Sequence, residues 1–329
     1  MNSNISQDQF VRMEVVGWFV LFFVLPVPSS TAAFSKDVNL NSSSSKKKSC
    51  QERPVVSKKH IFGVDRAIDI PSDVFPSETA LAELERGMEG CEHGWMESCF
   101  EQAQLHYRKW LPASGTATTT KKKPKGVVLW LHGIAAHSGR SLILDDDDDD
   151  NKHRKLGMAL QKEAWLKEGY ALYALDFYGH GYSEGCRWFV PNFEVNRDDI
   201  IAFTKLVASE HDETTPMFLT AESYGSCLTL HVAKYFQEHP DEAPRGFDSI
   251  ILHAPAIIPP DLPPKPIVSL LTALSRSYPT WIPFFMPNPV STKRIWRDPK
   301  VFSIFDSHER RTMRIEGGGK PFRLATIKN

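Results

Sequence analysis

The chain has 329 residues, 41% of them hydrophobic, and a formal net charge of −1 at pH 7. That length holds one large α/β domain or two smaller ones, with enough apolar material for a sizeable core. A charge so near zero supplies no field that would draw the chain onto nucleic acid, so no nucleic-acid partner is expected. The basic runs Lys46–Lys48 and Lys121–Lys123 and the acidic run Asp145–Asp150 read as solvated loops. Six adjacent aspartates lack the spacing of a cation-binding loop. The five cysteines, Cys50, Cys91, Cys99, Cys186 and Cys227, form no CxxC pair, which argues against a zinc site or a redox motif. Cys91 and Cys99 are the only local pair that could bridge in an oxidising compartment.

Val15–Leu25 is a continuous apolar run ended by Pro26 and Pro28. It falls short of the about 20 residues needed to span a bilayer. Thr31-Ala32-Ala33 then fits a cleavage site of small residues, so residues 1–33 are expected to be a secretory signal peptide, with an uncleaved signal anchor as the second reading. Ala32-Ala33-Phe34, followed by a Ser-rich, acid-poor stretch, also resembles the Ala-Phe junction of bipartite plastid presequences, and plastid import stands beside secretion. Residues 34–98 read as a flexible linker with a short helix over Pro76–Met88.

The alternation in Glu101–Pro112 predicts a half-buried strand, and Val127–Leu131 a buried strand stopped by His132-Gly133. Lys155–Glu168 has a helical period. Tyr170–Leu175 reads as a strand ending at Asp176, Asn196–Ser209 as a helix, Met217–Thr220 as a strand and Cys227–Gln237 as a helix. Ile250–Leu252 is a further strand, ending at His253-Ala254-Pro255. Strands alternating with helices predict a mostly parallel, doubly wound sheet over residues 99–257, with ligands at the carboxyl ends of its strands. From 258 to 329 the rhythm changes to a proline-rich stretch and the apolar Thr280–Pro287, which reads as a cap inserted after the strand near 250–253. Trp281–Met286 suits a lipid-facing lid or packing inside the cap equally well.

Met217-Phe218-Leu219-Thr220-Ala221-Glu222-Ser223-Tyr224-Gly225-Ser226 has the layout of a nucleophile elbow. An apolar strand leads into a Ser flanked by small residues, which let the backbone turn sharply and push the hydroxyl out of the sheet. Three other blocks accompany it in order: Leu131–Arg140, Asp176–Gly185 (Asp-Phe-Tyr-Gly-His-Gly-Tyr-Ser-Glu-Gly) and His253-Ala254-Pro255-Ala256. Together these blocks resemble the α/β-hydrolases of the monoacylglycerol lipase and lysophospholipase type, the serine aminopeptidase S33-type domain. The resemblance runs from about Leu105 onward.

That resemblance implies an α/β-hydrolase fold and a serine hydrolase of carboxylic esters, most simply of monoacylglycerols or lysophospholipids. Ser223 would be the nucleophile, and the backbone N–H groups of Ile134 and Tyr224 the oxyanion hole. His132, Gly133, Asp176, His180 and Gly225 would brace the site, as would Glu184. No metal and no organic cofactor is implied. The partners implied are a lipid ester substrate and a membrane surface touched through the cap.

The chain departs from the family in Ala221, Ser226 and Ala136, where Gly, Gly and Glu are usual. The resemblance also implies an Asp and a later His on loops after two further strands, and no convincing pair follows Ser223. Asp306 and His308 lie only two residues apart inside the cap, too close for one to orient the other against the serine. The last strands of the sheet are therefore expected to be missing, with the strand at Ile250–Leu252 left as an open edge. The alternative is a catalytically inactive relative that binds an acyl ligand or serves as a scaffold. Esters of phenolic or peptide-like compounds form a third reading.

Overall fold

The computed structural model describes residues 25–26, 90–112, 123–134, 136–139, 145–146, 154–155, 158–186, 189–256, 264–281, 299, 323–324 and 326. Its strands are β1 (Leu25–Pro26), β2 (Cys91–Glu97), β3 (Gln104–Trp110), β4 (Val127–Leu131), β5 (Asp145–Asp146), β6 (Arg154–Lys155), β7 (Ala171–Leu175), β8 (Met217–Glu222) and β9 (Phe247–His253). Its helices are α1 (Met158–Glu168), α2 (Phe193–Ser209), α3 (Ser223–Glu238) and α4 (Lys265–Ser277).

Seven strands form one sheet in the order β1-β9-β8-β4-β7-β3-β2. The four inner strands β9, β8, β4 and β7 are parallel. The β2–β3 hairpin joins antiparallel at one edge, and β1 at the other. Every residue of β4 and β7 is buried, as expected of parallel strands covered on both faces. Alternation then splits the core in two. Val127, Leu129, Leu131, Tyr173 and Leu175 pack with Ile200, Phe203 and Val207 of α2 and Leu228, Val232 and Phe236 of α3. Val128, Trp130, Leu172 and Ala174 pack with Trp110 on the opposite face, against Trp165 and Leu166 of α1. The sheet is doubly wound and mostly parallel, an α/β-hydrolase architecture.

The chain runs from β4 to its neighbour β7 and then returns across β4 to β8. The loops after β4 and β8 therefore leave toward opposite faces and open a crevice between them, the place where open α/β sheets bind ligands. Ser223 and the His132–Gly139 loop lie on the two sides of that crevice.

Several sequence expectations shift. The linker assigned to 34–98 gives way at its end to β2, which pairs with β3 along its whole length from Cys91↔Trp110 to Glu97↔Gln104. Two polar residues with positive φ, Glu101 and Gln102, make the turn between those strands, so β3 starts only at Gln104. Extended β2 carries the chain roughly 20 Å from Cys91 to Glu97 at about 3.3 Å per residue, and Cys99 lies two residues past its end. A disulfide needs Cα atoms within about 7 Å, and Cys91 and Cys99 are not bridged to each other. The helix expected from Lys155 begins at Met158, because Arg154–Lys155 pairs with Asp145–Asp146 in register Asp145↔Lys155. The edge of β9, expected to be open, pairs with β1 through Leu25↔Ile250 and Pro26↔Ser249. Within the cap segment, α4 is a regular helix after Pro264. The short helix at Pro76–Met88, the pair Asp306 and His308, and the run after Trp281 lie outside the described residues.

Candidate active site

Ser223 stands at the junction of β8 and α3 with φ +51°, in the left-handed region that a side chain rarely enters. Ala221, one of the departures from the family, is an ordinary buried residue of β8. The turn is held from three sides. Ser226, another departure, is fully buried, and its hydroxyl donates to the carbonyls of Ala221 at 2.6 Å and His253 at 3.1 Å, tying β8 to β9. The Ala256 N–H donates to the Ser223 carbonyl at 3.2 Å. At Gly225 a Cβ would lie 2.6 Å from the His132 carbonyl oxygen and 2.8 Å from that of Leu131, so only glycine lets α3 approach β4 this closely.

That approach brings the loop after β4 against the elbow. A Cβ on Gly133 would lie 3.2 Å from Ser223 Cβ. The Gly133 N–H faces the Glu222 carboxylate at 3.5 Å. His132 is fully buried and engaged by backbone at both ring nitrogens. Its Nδ1 meets the Gly133 carbonyl at 2.7 Å, and its Nε2 accepts from the Phe177 N–H at 3.1 Å. The bond to a carbonyl requires a proton on Nδ1, which leaves Nε2 as the acceptor. His132 is thus a neutral strut. His180, also buried, donates from Nδ1 to the Tyr178 carbonyl at 2.8 Å. Ile134 follows Gly133 in the same loop. The Tyr224 N–H lies in the first turn of α3, where a helix offers its amides no internal acceptor. The Tyr224 phenol accepts from Asn196 Nδ2 at 3.2 Å, and burial raises its pKa.

Asp176 follows β7, two strands away from β8, and so lies about 10 Å to the side of the elbow. It is fully buried. Its carboxylate accepts from the Ser138 N–H at 2.6 Å, the Tyr182 N–H at 3.1 Å and His106 Nδ1 at 2.8 Å, with Arg108 Nη1 at 3.5 Å. Burial alone would push this carboxyl up. The hydrogen bond from His106 and the charge of Arg108 outweigh that and hold it well below the usual carboxylate range. A Cβ on Gly181, which has φ +50°, would fall 2.3 Å from that carboxylate. Arg108 also bonds the Ser138 hydroxyl. Ala136, where the family usually has Glu, donates its N–H in a turn bond to the Gly133 carbonyl. The far end of this loop is instead anchored through Ser138. Glu184 braces β3 by accepting from the Gln104 N–H at 2.9 Å.

His106 and Arg108 are the residues that sequence reasoning passed over. Both lie on the Trp110 face of β3 at the i, i+2 spacing of one strand face. Two polar residues in line with a core tryptophan were the signal.

Among the described residues no histidine or carboxylate is hydrogen-bonded to the Ser223 hydroxyl. His253, at the end of β9, meets Thr220 Oγ1 at 3.1 Å and packs against Trp130, and burial lowers its pKa to about 4. No cluster of metal-ligating side chains occurs among the described residues.

Residues 158–317 match the model of a hydrolase family described as serine aminopeptidase, S33. A caffeoylshikimate esterase of Arabidopsis thaliana is 31% identical over 49% of this chain, and a monoglyceride lipase of Rattus norvegicus is 29% identical over 47%. An uncharacterized abhydrolase domain-containing protein of Dictyostelium discoideum is 29% identical over 62% of it. The matches cover 45%, 40% and 18% of those proteins, so the chain spans less than half the length of each. With a serine in left-handed backbone between a central parallel strand and its helix, the chain has an α/β-hydrolase fold, and its residues 158–317 are similar to the hydrolases of the serine aminopeptidase S33 type.

Proposed function

We propose that this chain carries the nucleophile and oxyanion groups of a serine hydrolase that cleaves carboxylic esters of lipids, of the monoacylglycerol or lysophospholipid type. The observation that carries the reading is the backbone of Ser223: φ +51° at the end of β8, with Gly133 in contact across the crevice. In this reading the Ser223 hydroxyl attacks the ester carbonyl. The Ile134 and Tyr224 N–H groups receive the negative charge that develops on the carbonyl oxygen. Collapse of the tetrahedral intermediate expels the alcohol, and water then releases the acyl group. Lipid substrates are favoured over small polar esters by the apolar surface of α4, which exposes Ile267, Val268 and Leu270. The same face supports contact with a membrane surface. No helix among the described residues is long and apolar enough to cross a membrane.

The test is hydrolysis of a monoacylglycerol and of a short aryl ester by the purified protein, with Ser223→Ala as control. No turnover of either ester would sink the reading. The second reading is an acyl-binding protein without turnover. It is favoured by the lack, among the described residues, of a base bonded to Ser223, since a serine without an adjacent base is a weak nucleophile. Saturable binding of a fatty acid with no labelling of Ser223 by a fluorophosphonate would support it.

A further inference from the structure

Asp176 is reached from the protein surface by a chain of two imidazoles. Exposed His93 on β2 places Nδ1 2.8 Å from Nε2 of His106 on β3, and His106 Nδ1 lies 2.8 Å from Asp176 Oδ2. The proton positions follow from the ends of the chain. An ionised carboxylate only accepts, so His106 Nδ1 carries hydrogen. Burial lowers the His106 pKa to about 4, so the ring is neutral and its Nε2 is an acceptor. His93 Nδ1 is then the donor. Three rings hold His106 in this orientation: His93 with centroids 5.1 Å apart, Trp95 edge-on at 5.1 Å and Tyr182 edge-on at 5.0 Å. The His106 backbone N–H is also committed, to Ser183 Oγ at 2.9 Å, and Ser183 donates on to the Asp176 carbonyl at 2.6 Å.

The polar groups around Asp176 thus converge on one object. Its Oδ1 takes the Ser138 N–H, and Ser138 lies four residues after Ile134 in the loop against the elbow. Its Oδ2 takes His106. A carboxylate that loses one donor rotates to recover it elsewhere, because a buried charge left unsatisfied is strongly unfavourable. Rotation of Asp176 about its side-chain torsion would release Ser138.

We propose that His106 is a positioning residue for the hydrolytic site: held by His93, it orients the Asp176 carboxylate that anchors the far end of the Ile134 loop. The catalytic half of this inference rests on the hydrolase reading above; the anchoring half does not. An oxyanion donor acts on charge present only in the transition state, so loosening its loop lowers kcat and leaves KM alone.

The experiment compares wild type with H106L, H106N and H93A. Asparagine places an N–H close to where Nδ1 of histidine stands, so it keeps the donor to Asp176, whereas leucine removes it. Amide hydrogen exchange at Ser138 reads the anchor directly. In H106L it is expected to quicken about tenfold, and H106N is expected to recover most of the protection. Aryl-ester kcat per fluorophosphonate-titrated Ser223 is expected to fall about tenfold in H106L at unchanged KM, and to be restored in H106N. H93A alters only the exposed end, keeps the core intact, and is expected to quicken Ser138 exchange about threefold. Unchanged Ser138 exchange in both H106L and H93A would overturn the inference. So would equal losses in H106L and H106N, or a loss expressed in KM. If the wild type turns over no ester, the hydrolase reading fails on its own, and Ser138 exchange alone decides the anchor.

Discussion

Gly133 and Ser223 touch across the crevice: a Cβ on residue 133 would sit 3.2 Å from Ser223 Cβ, closer than side-chain carbons ordinarily pack. The loop after β4 and Ser223 are thus set against each other without a side chain between them. Gly133→Ala is expected to displace the two by a few tenths of an ångström. Misplacement of that kind costs about tenfold to a hundredfold in rate. The expected outcome is a fall in ester kcat with a thermal midpoint close to wild type. A variant with full activity would show that the loop and the elbow move independently.

The positive φ of Ser223 stores strain at the elbow, of about 1–2 kcal/mol for a residue carrying a Cβ. Ser223→Gly is therefore expected to be about 1 kcal/mol more stable than Ser223→Ala, although both remove the hydroxyl. Urea unfolding of the pair measures the difference. Equal midpoints would mean that the elbow relaxes once the hydroxyl is gone.

Gly225 has no such room to give. The carbonyl oxygens at 2.6 and 2.8 Å from its hypothetical Cβ belong to the backbone at the end of β4, which cannot swing aside. Gly225→Ala is expected to push α3 off the sheet and to destabilise the protein by about 1–3 kcal/mol. Loss of Ser223 labelling by a fluorophosphonate should accompany the lower midpoint. A variant as stable as wild type would contradict the close packing of α3 on β4.

Stability is expected to fall with acid in two stages. His106 and His253 each have a pKa lowered by burial to about 4, from a usual 6.5. Between those values the unfolded chain binds protons that the folded chain refuses. Stability therefore rises with pH across that window and is lost as pH falls from about 6.5 to about 4, by roughly 3 kcal/mol for each histidine. Asp176, whose pKa is depressed, adds a second loss below the usual carboxylate value of 3.8. His106 and Asp176 are bonded to each other, so their two shares are not independent. Denaturant midpoints at about pH 7, 5.5 and 4.5 follow the first stage. A flat profile would mean that neither histidine is buried in solution.

The parts of this molecule that depend on local order were legible in the chain. Val127–Leu131 is a strand with the bounds its apolar run predicts, because a strand buried on both faces has no polar residue to blur its ends. The elbow was readable because a strand, a small residue, a serine and a glycine must follow one another for the backbone to turn there. Helix bounds were less exact. The periodicity from Asn196 onward left out Phe193–Val195, whose membership depends on the Asn192 side chain accepting from the Val195 N–H at 2.8 Å.

What depends on distant neighbours was not legible. β2 looks like linker, since Cys91–Glu97 is half exposed and mixed in composition. It becomes a strand only because β3 offers it a complete ladder. Ser226 looked like a departure, yet its hydroxyl joins two strands that meet only in the folded sheet. The chain by itself determined the strand–helix alternation, the elbow and the family resemblance, all of which are written in residues close together along the sequence. Only the tertiary structure decided that β4 and β8 lie side by side, so that Gly133 meets Ser223. It alone brought His93, His106 and Arg108 to Asp176. These contacts join residues scores of positions apart, and no local periodicity records which buried polar group a folded sheet will bring to which partner.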